Sequence, residues 1–267
     1  MIKKQVTIHK RNEIVRGTDL YSMNGKKCQN AIYYLYQKNR DMISKFEEQG
    51  INSMNITFAS LREYMGLEKD NNYVAIIKEG IRELQDTAIE LNNWTNPVTG
   101  KEYSWYRTKF INDSSVEKDN TLVVTLEIGT LAKQLMRAKG NFTELDLIKY
   151  MNRFRTKYAM KIYEYLESFK KYRYLDISQK HLMKLLNIAE NDKTNKHYSN
   201  LKRLLERQLQ DIVLKSDLKD VKLQSSKLLA KKLAKEKMYR IIINPNGIKH
   251  ATKEEAKTAL DNLIKRF

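Results

Sequence analysis

The pentad Arg-x-Leu-Gln-Asp occurs twice in this chain, as "RELQD" from Arg82 and as "RQLQD" from Arg207, each time followed by apolar residues. Five shared letters can arise by chance, so the surroundings carry the test. Leu61, Tyr64, Met65 and Leu67 map onto Leu182, Leu185, Leu186 and Ile188 at a constant offset of 121. Ile76, Leu84 and Ala88 map onto Leu201, Leu209 and Val213 at an offset of 125. The offset changes inside a polar turn, "EKDNN" in one copy and "AENDKTNKH" in the other, where an insertion disturbs least. The chain therefore reads as one small fold used twice, which agrees with the two domains suggested by 267 residues.

Each copy has the same plan. In the first, "KKCQNAIYYLY" from Lys26 to Tyr36 has apolar residues at helical spacing. A short extended piece, Ile56 to Phe58, leads to a helix around Leu61, Tyr64 and Met65. A long helix is expected from about Tyr73 to Leu91, with Ile76, Ile77, Gly80, Ile81, Leu84 and Ala88 on one face and Gly80 as a close-approach position. In the second copy, "KYAMKIYEYLESF" from Lys157 to Phe169 is a helix with an aromatic stripe. Asp176 or Ser178 caps a helix carrying Leu182, Leu185 and Leu186, and a long helix starts near Tyr198.

Both copies end in strand-like sequence. The turn cluster Asn96-Pro97-Val98-Thr99-Gly100 lies between aromatic extended segments, a hairpin signal, and "TLVVTLEIG" from Thr121 adds a strand. "MYRIIINPNG" is a strand ending at a turn. A helix, a helix–turn–helix and a hairpin make a winged helix. The expected class is α+β, mainly helical since only two prolines and nine glycines interrupt it. The two tandem winged-helix domains are placed at residues 1–145 and 146–267, with the boundary between Phe142 and Arg155.

Charge narrows the partners. Lys+Arg number 50 against 32 Asp+Glu, a formal net charge of +18 that draws the chain to polyanions. No apolar run approaches the roughly 20 residues needed to span a bilayer. The stretch from Leu122 to Met136 is broken by Glu127, Gly129, Lys133 and Gln134. "MIKKQVTIHK" lacks the apolar core of a secretory signal. The single cysteine, Cys28, excludes an internal disulfide, fits a reducing cytoplasm, and is expected to pack as a small apolar residue. Duplex DNA becomes the expected partner, with no membrane.

In helix–turn–helix proteins the second helix places its N-terminal residues near base edges in the major groove. With Leu201, Leu204, Leu205 and Leu209 facing the core, Ser199, Asn200, Lys202, Arg203 and Glu206 face outward. Asn can pair with adenine, and Arg or Lys with guanine. Lys193, Lys196 and His197 precede the helix where phosphates would pass, and Lys180 lies on the helix before. The first copy offers Asn71, Asn72, Lys78 and Arg82, offset by Glu79 and Glu83, together with Lys101 beside the hairpin turn. "SKLLAKKLAKEK" from Ser226 to Lys237 adds Lys227, Lys231, Lys232 and Lys235, either as phosphate contacts or as a solvated lysine-rich helix.

Enzyme readings find little. A nicking replication enzyme needs a His-hydrophobic-His metal pair beside a tyrosine, but His9, His181, His197 and His250 are isolated. Tyr33, Tyr34, Tyr163 and Tyr165 sit at core spacing. There is no G-x-x-x-x-G-K-[ST] phosphate loop, and one cysteine cannot form a cysteine-rich zinc site. Carboxylate-based metal nucleases leave diffuse signatures, and nothing points to one. No catalytic residue, metal or cofactor is expected.

"RTKYAMKIYEYLESFKKY", "LDISQKHLMKLLNI" and "YSNLKRLLERQLQDI" resemble the second winged helix of plasmid replication initiators of the Rep_3 (RepA/RepE/Pi) type. The similarity is most specific from Arg155 to Val213, in the helix start from Thr156 to Leu166 and the long helix closing on Asp-Ile. The first half agrees in layout more than in letters. The resemblance implies two winged helices about a pseudo-twofold axis. It also implies a monomer on repeated origin sites (iterons), and a dimer that represses its own gene at an inverted repeat. It further implies opening of adjacent AT-rich DNA and recruitment of the host initiator and replicative helicase. It assigns Lys202 and Arg203 to recognition-helix positions, and Arg155, Thr156 and Lys157 to a backbone-contacting helix start. Leu201 stands where a further basic residue is common, and "KLLAKKLAKEK" replaces a shorter Gly-containing turn. A winged-helix transcriptional regulator without a replication role would show the same DNA chemistry.

Overall fold

A computed structural model describes residues 6–18, 21–96, 99–137, 142–192, 197–224 and 238–248. The chain divides into two compact units. The first takes in those of the described residues that fall within 6–11 and 21–152, and the second those within 12–18 and 153–248.

The chain opens with β1 (Thr7–Arg11), a strand of the first unit, and α1 (Asn12–Arg16), a helix of the second. The first unit continues through α2 (Met23–Lys38), α3 (Arg40–Glu48), β2 (Ser53–Thr57), α4 (Phe58–Met65) and α5 (Tyr73–Asp86). Next come β3 (Ala88–Thr95), β4 (Glu102–Lys109), β5 (Ile111–Ser115), β6 (Val123–Ile128), α6 (Thr130–Arg137) and β7 (Phe142–Asp146). The second unit runs α7 (Lys157–Glu167), β8 (Tyr174–Ser178), α8 (Gln179–Leu185), α9 (Tyr198–Lys215), β9 (Lys222–Gln224) and β10 (Met238–Ile242).

The duplication is visible element by element. β2 and β8 stand 121 residues apart, each ending on a hydroxyl residue that caps the following helix. Thr57 accepts from Ser60 N and Ser178 from His181 N, both at 3.1 Å. Ser178 rather than Asp176 is therefore the cap, and Asp176 instead takes a bidentate pair from Arg240 at 2.7 and 2.6 Å. Both first helices of the pair end in a left-handed residue, Gly66 at φ 68° and Asn187 at φ 51°. There the backbone turns back through Leu67 N→Arg62 O and Ile188 N→Met183 O, each 2.9 Å.

In both units a middle strand pairs with two neighbours, antiparallel: order β2-β6-β5 in the first and β8-β10-β9 in the second. A strand before the helix pair and two after it make each unit a winged helix, and the class is α+β. The wing of the first unit is thus the connection between β5 and β6, residues 116–122, and not the Asn96–Gly100 turn expected from sequence. That turn closes a second hairpin, β3–β4, which pairs with nothing else. The six residues between α9 and β9, all described, hold no such hairpin.

Two local expectations shift. α5 ends at Asp86, not near Leu91, because Ala88 begins the ladder with β4 and pairs with Lys109. Ala88 is therefore a strand residue, whereas Val213, its partner in the repeat, is helical. Phe58 opens α4 instead of ending the extended piece.

Apolar burial orients the helices. In the first unit, Ile32, Tyr33, Leu61, Met65, Ile77, Leu84, Leu126 and Leu131 are buried. A Cβ on Gly80 would lie 2.9 Å from the Cys28 Cβ, so α5 packs close on α2 as expected. Cys28 is buried, and burial followed by Glu83 pushes its thiol pKa up, which marks a packing group. Tyr33, Tyr163 and Tyr165 are core residues, whereas Tyr34 is half-buried against Tyr64, with ring centroids 4.7 Å apart. In the second unit, α1 is pinned to α7 by buried Lys161, whose ammonium donates to Ile14 O and Val15 O at 3.3 and 2.8 Å. Arg16 completes the seam, donating to Ser168 and stacking 4.1 Å over the Phe169 ring.

Candidate nucleic-acid interface

α9 has two faces. Leu201, Leu205, Leu209 and Ile212 are buried with Gln208, while Leu204 is only half-covered. Each fully buried leucine stabilises the unit by about 1.5–3 kcal/mol, so this face cannot rotate outward cheaply. The opposite edge is set by default: Ser199 and Arg203 are exposed, Asn200, Lys202 and Glu206 intermediate. Glu206 lies 3.7 Å from Lys202, an i,i+4 pair that partly offsets this lysine and leaves Arg203 as the stronger outward cation.

Arg207 continues the exposed line of Ser199 and Arg203 at four-residue spacing. It is not among the residues expected from sequence to contact DNA. The i,i+4 step from Arg203 was the signal that could have found it.

The start of α9 is held firmly. Tyr198, its first residue, stacks on buried Tyr239 of β10 with centroids 4.8 Å apart and planes within 9°. Tyr198 donates its hydroxyl to Met238 O at 3.3 Å, and Tyr239 donates to Tyr198 O at 3.2 Å. Burial, with Tyr198 adding, pushes the Tyr239 pKa up, so this clasp keeps its proton. His197 is the exposed N-cap residue, and no side-chain hydrogen bond caps the helix. The positive end of the helix dipole favours an anion there.

The remaining second-unit residues fall on the other helices of the same unit. Arg155 is exposed and Lys157 half-exposed at the start of α7, with Lys157 Nζ 5.6 Å from the Tyr158 ring. Thr156 spends its hydroxyl inside the unit, accepting from Ala159 N at 3.0 Å and donating to Gln208 at 2.6 Å. Lys180 is exposed on α8. Lys193, Lys196, Lys227, Lys231, Lys232 and Lys235 lie outside the described residues.

In the first unit, α5 presents Asn72, Lys78 and Arg82 outward, but Glu79 and Asp86 are exposed among them. Glu83 does not belong to that face. It accepts from Ser22 N and Ser22 Oγ at 2.5 Å, tying α5 to the start of α2. The turn before α5 is organised by Arg62, which sequence reading missed. Its guanidinium donates to Leu67 O and Glu68 O at 3.2 and 2.7 Å and lies 4.4 Å over the Tyr73 ring. Lys101 is exposed, but on the β3–β4 hairpin and not on the wing. The actual wing, "VEKDNTL", is not cationic.

Among the described residues, no group of three or more His, Cys, Asp or Glu could hold a metal ion, and no helix is long and apolar enough to cross a membrane.

The sequence profile of the family described as "Initiator Replication protein, WH1" matches residues 7–167. Most of the stretch in which the lettered resemblance is strongest, Arg155 to Val213, lies beyond that match. No curated protein sequence matches. Among solved structures the chain is similar to the Pi initiator protein in complex with iteron DNA, at 17% identity and a TM-score of 0.59. That likeness covers 92% of this chain and 100% of the other, and the shared property is the fold. Domains 2 and 3 of RctB are more distant, at 11% identity and a TM-score of 0.45, over 85% of this chain and 84% of theirs. Since the profile spans more than half of the 267 residues, the protein belongs to the Initiator Replication protein family.

Proposed function

We propose that this protein is a plasmid replication initiator that binds duplex DNA sequence-specifically at repeated origin sites. The observation that carries this reading is the polar edge of α9: Ser199, Asn200, Lys202 and Arg203 stand outward at the start of a helix whose other face is locked in the core. Family membership and the fold shared with an initiator that is bound to iteron DNA support it.

In this reading Asn200 and Arg203 read base edges in the major groove, with Lys202 as a second donor. Ser199, His197, Arg155, Lys157, Lys180 and Lys196 meet phosphates, as do Lys227, Lys231 and Lys232, while Thr156 acts through the helix start that it caps. α5, with Asn72, Lys78 and Arg82 among carboxylates, orients the first unit more than it reads bases. The protein works in the cytoplasm without cofactor or catalytic group. It helps open adjacent AT-rich DNA, recruits the host initiator and replicative helicase, and as a dimer represses its own gene at an inverted repeat.

Footprinting on the DNA flanking its gene tests the reading. Protection should span about two helical turns at each direct repeat, as two modules on one duplex require. Protection of one short site would overturn tandem engagement. Maintenance of an origin plasmid supplied with the protein in trans separates an initiator from a pure regulator.

A further inference from the structure

Two ion pairs at i,i+4 spacing lie on α9, and they differ in kind. Asp211 and Lys215 meet at 2.5 Å with the acid N-terminal to the base, the order that suits the helix dipole. Lys202 and Glu206 stand in the reverse order and 3.7 Å apart, which is too long for a hydrogen bond. Their side chains are 36% and 44% exposed. A loose, solvated pair in the weaker order does little to hold a helix. Glu206 is not spent on the fold.

It stands instead on the polar edge of α9, three residues after Arg203 and four after Lys202, which places it one turn further along the same side. A carboxylate there repels phosphates and weakens the pull of a +18 chain on any polyanion. Against a base edge it has one favourable use. An ionised carboxylate only accepts hydrogen bonds. In the major groove the cytosine N4 amine offers it a donor, whereas guanine O6 and N7 and thymine O4 are acceptors that repel it. Adenine sets a donor beside an acceptor, which suits an amide and not a carboxylate.

We propose that Glu206 is a specificity-determining residue, accepting a hydrogen bond from the N4 amine of one cytosine in the bound site and penalising duplexes that lack a cytosine there. This rests on the reading of α9 as the helix that enters the major groove.

The test is selection of bound duplexes from a pool randomised over about 20 bp, two helical turns, by the full chain as wild type, Glu206→Gln and Glu206→Ala. The wild type should enrich a motif containing a cytosine that depends on Glu206. Glu206→Gln should turn that position to adenine, whose N6 and N7 fit the amide, and leave the other positions unchanged. Glu206→Ala should lose all preference there. In anisotropy titrations Glu206→Ala should bind the selected duplex about tenfold more weakly. It should bind a scrambled duplex about twofold to threefold more tightly at low salt, since a repelling charge is gone.

The same motif from all three proteins overturns the proposal. So does equal tightening on both duplexes, which makes Glu206 a general electrostatic brake, and so does equal weakening, which makes it a structural residue. Enrichment of no motif by the wild type refutes sequence-specific binding together with this assignment. A Glu206-dependent cytosine in a motif absent from the DNA flanking the gene refutes the origin reading and leaves the role of Glu206 standing.

Discussion

Thr156 Oγ1 donates to Gln208 Oε1 at 2.6 Å, and the other unit makes the same bond between Ser22 and Glu83 at 2.5 Å. Gln208 and Glu83 differ by 125 residues, the offset already seen for the long helices. Each hydroxyl also caps its own helix, accepting from Ala159 N at 3.0 Å and Gly25 N at 3.1 Å. One small side chain thus serves two helices, fixing the start of one against the middle of the other.

Thr156→Val should remove both the cap and the bridge, destabilising by about 1–2 kcal/mol. A double-mutant cycle with Gln208→Ala, read by urea unfolding, should show coupling of at least about 0.5 kcal/mol. Additive single effects would show that the 2.6 Å contact is energetically idle.

The left-handed caps make opposite predictions. Asn187 pays a steric cost at φ 51° that glycine does not, so Asn187→Gly should stabilise by up to about 1 kcal/mol. Gly66→Ala should destabilise by about 1–2 kcal/mol, because the strain at φ 68° is joined by a contact of 3.0 Å with Asn152 Cβ. Thermal melts of both variants check this, and a loss from Asn187→Gly would contradict it.

Arg203 and Arg207 should behave differently on DNA. Arg203→Ala should cost about 1–3 kcal/mol at the cognate site and relax preference at one base position. Arg207, one turn further from the helix start, should weaken all duplexes alike and reduce the salt slope by about one. Competition titrations on cognate and scrambled duplexes separate the two. A uniform loss from Arg203→Ala would reassign it to phosphate.

His181 should make the second unit sensitive to mild acid. Its ring lies 3.3 Å from the Tyr165 hydroxyl, and burial, with Lys184 adding, holds its pKa below the ordinary value. In the unfolded chain a histidine takes its proton near about pH 6.5; in the folded unit it takes it later. Below about pH 6.5 the unfolded state therefore binds more protons, and stability falls as pH drops through the lowered folded value. Melting temperatures from pH 7.5 to 5 should show this decline, and it should be shallower in His181→Phe. Identical profiles would remove His181 as the cause.

Much of each unit was legible in the letters because its signals are local. The polar residues before an apolar-periodic run narrow the cap to Asp176 or Ser178, and leucines spaced along one face place Leu201, Leu205 and Leu209 in the core, with Leu204 only half-covered, and Arg203 outside it. The duplication likewise survives as constant offsets. Local signals failed where a residue's fate depends on a distant partner. Ala88, Ile89 and Leu91 extend the helical apolar period of α5, yet pairing with 102–109 takes them into a strand. The turn at Asn96 to Gly100 announced a hairpin but could not say that β6 would pair with β2, some seventy residues earlier, and make β5–β6 the wing instead. Periodicity and capping act within a few residues, so the order of the letters settles helices and their buried faces. Strand pairing closes long loops and obeys no local code, so the wing and the separate β3–β4 hairpin emerge only once the chain has packed.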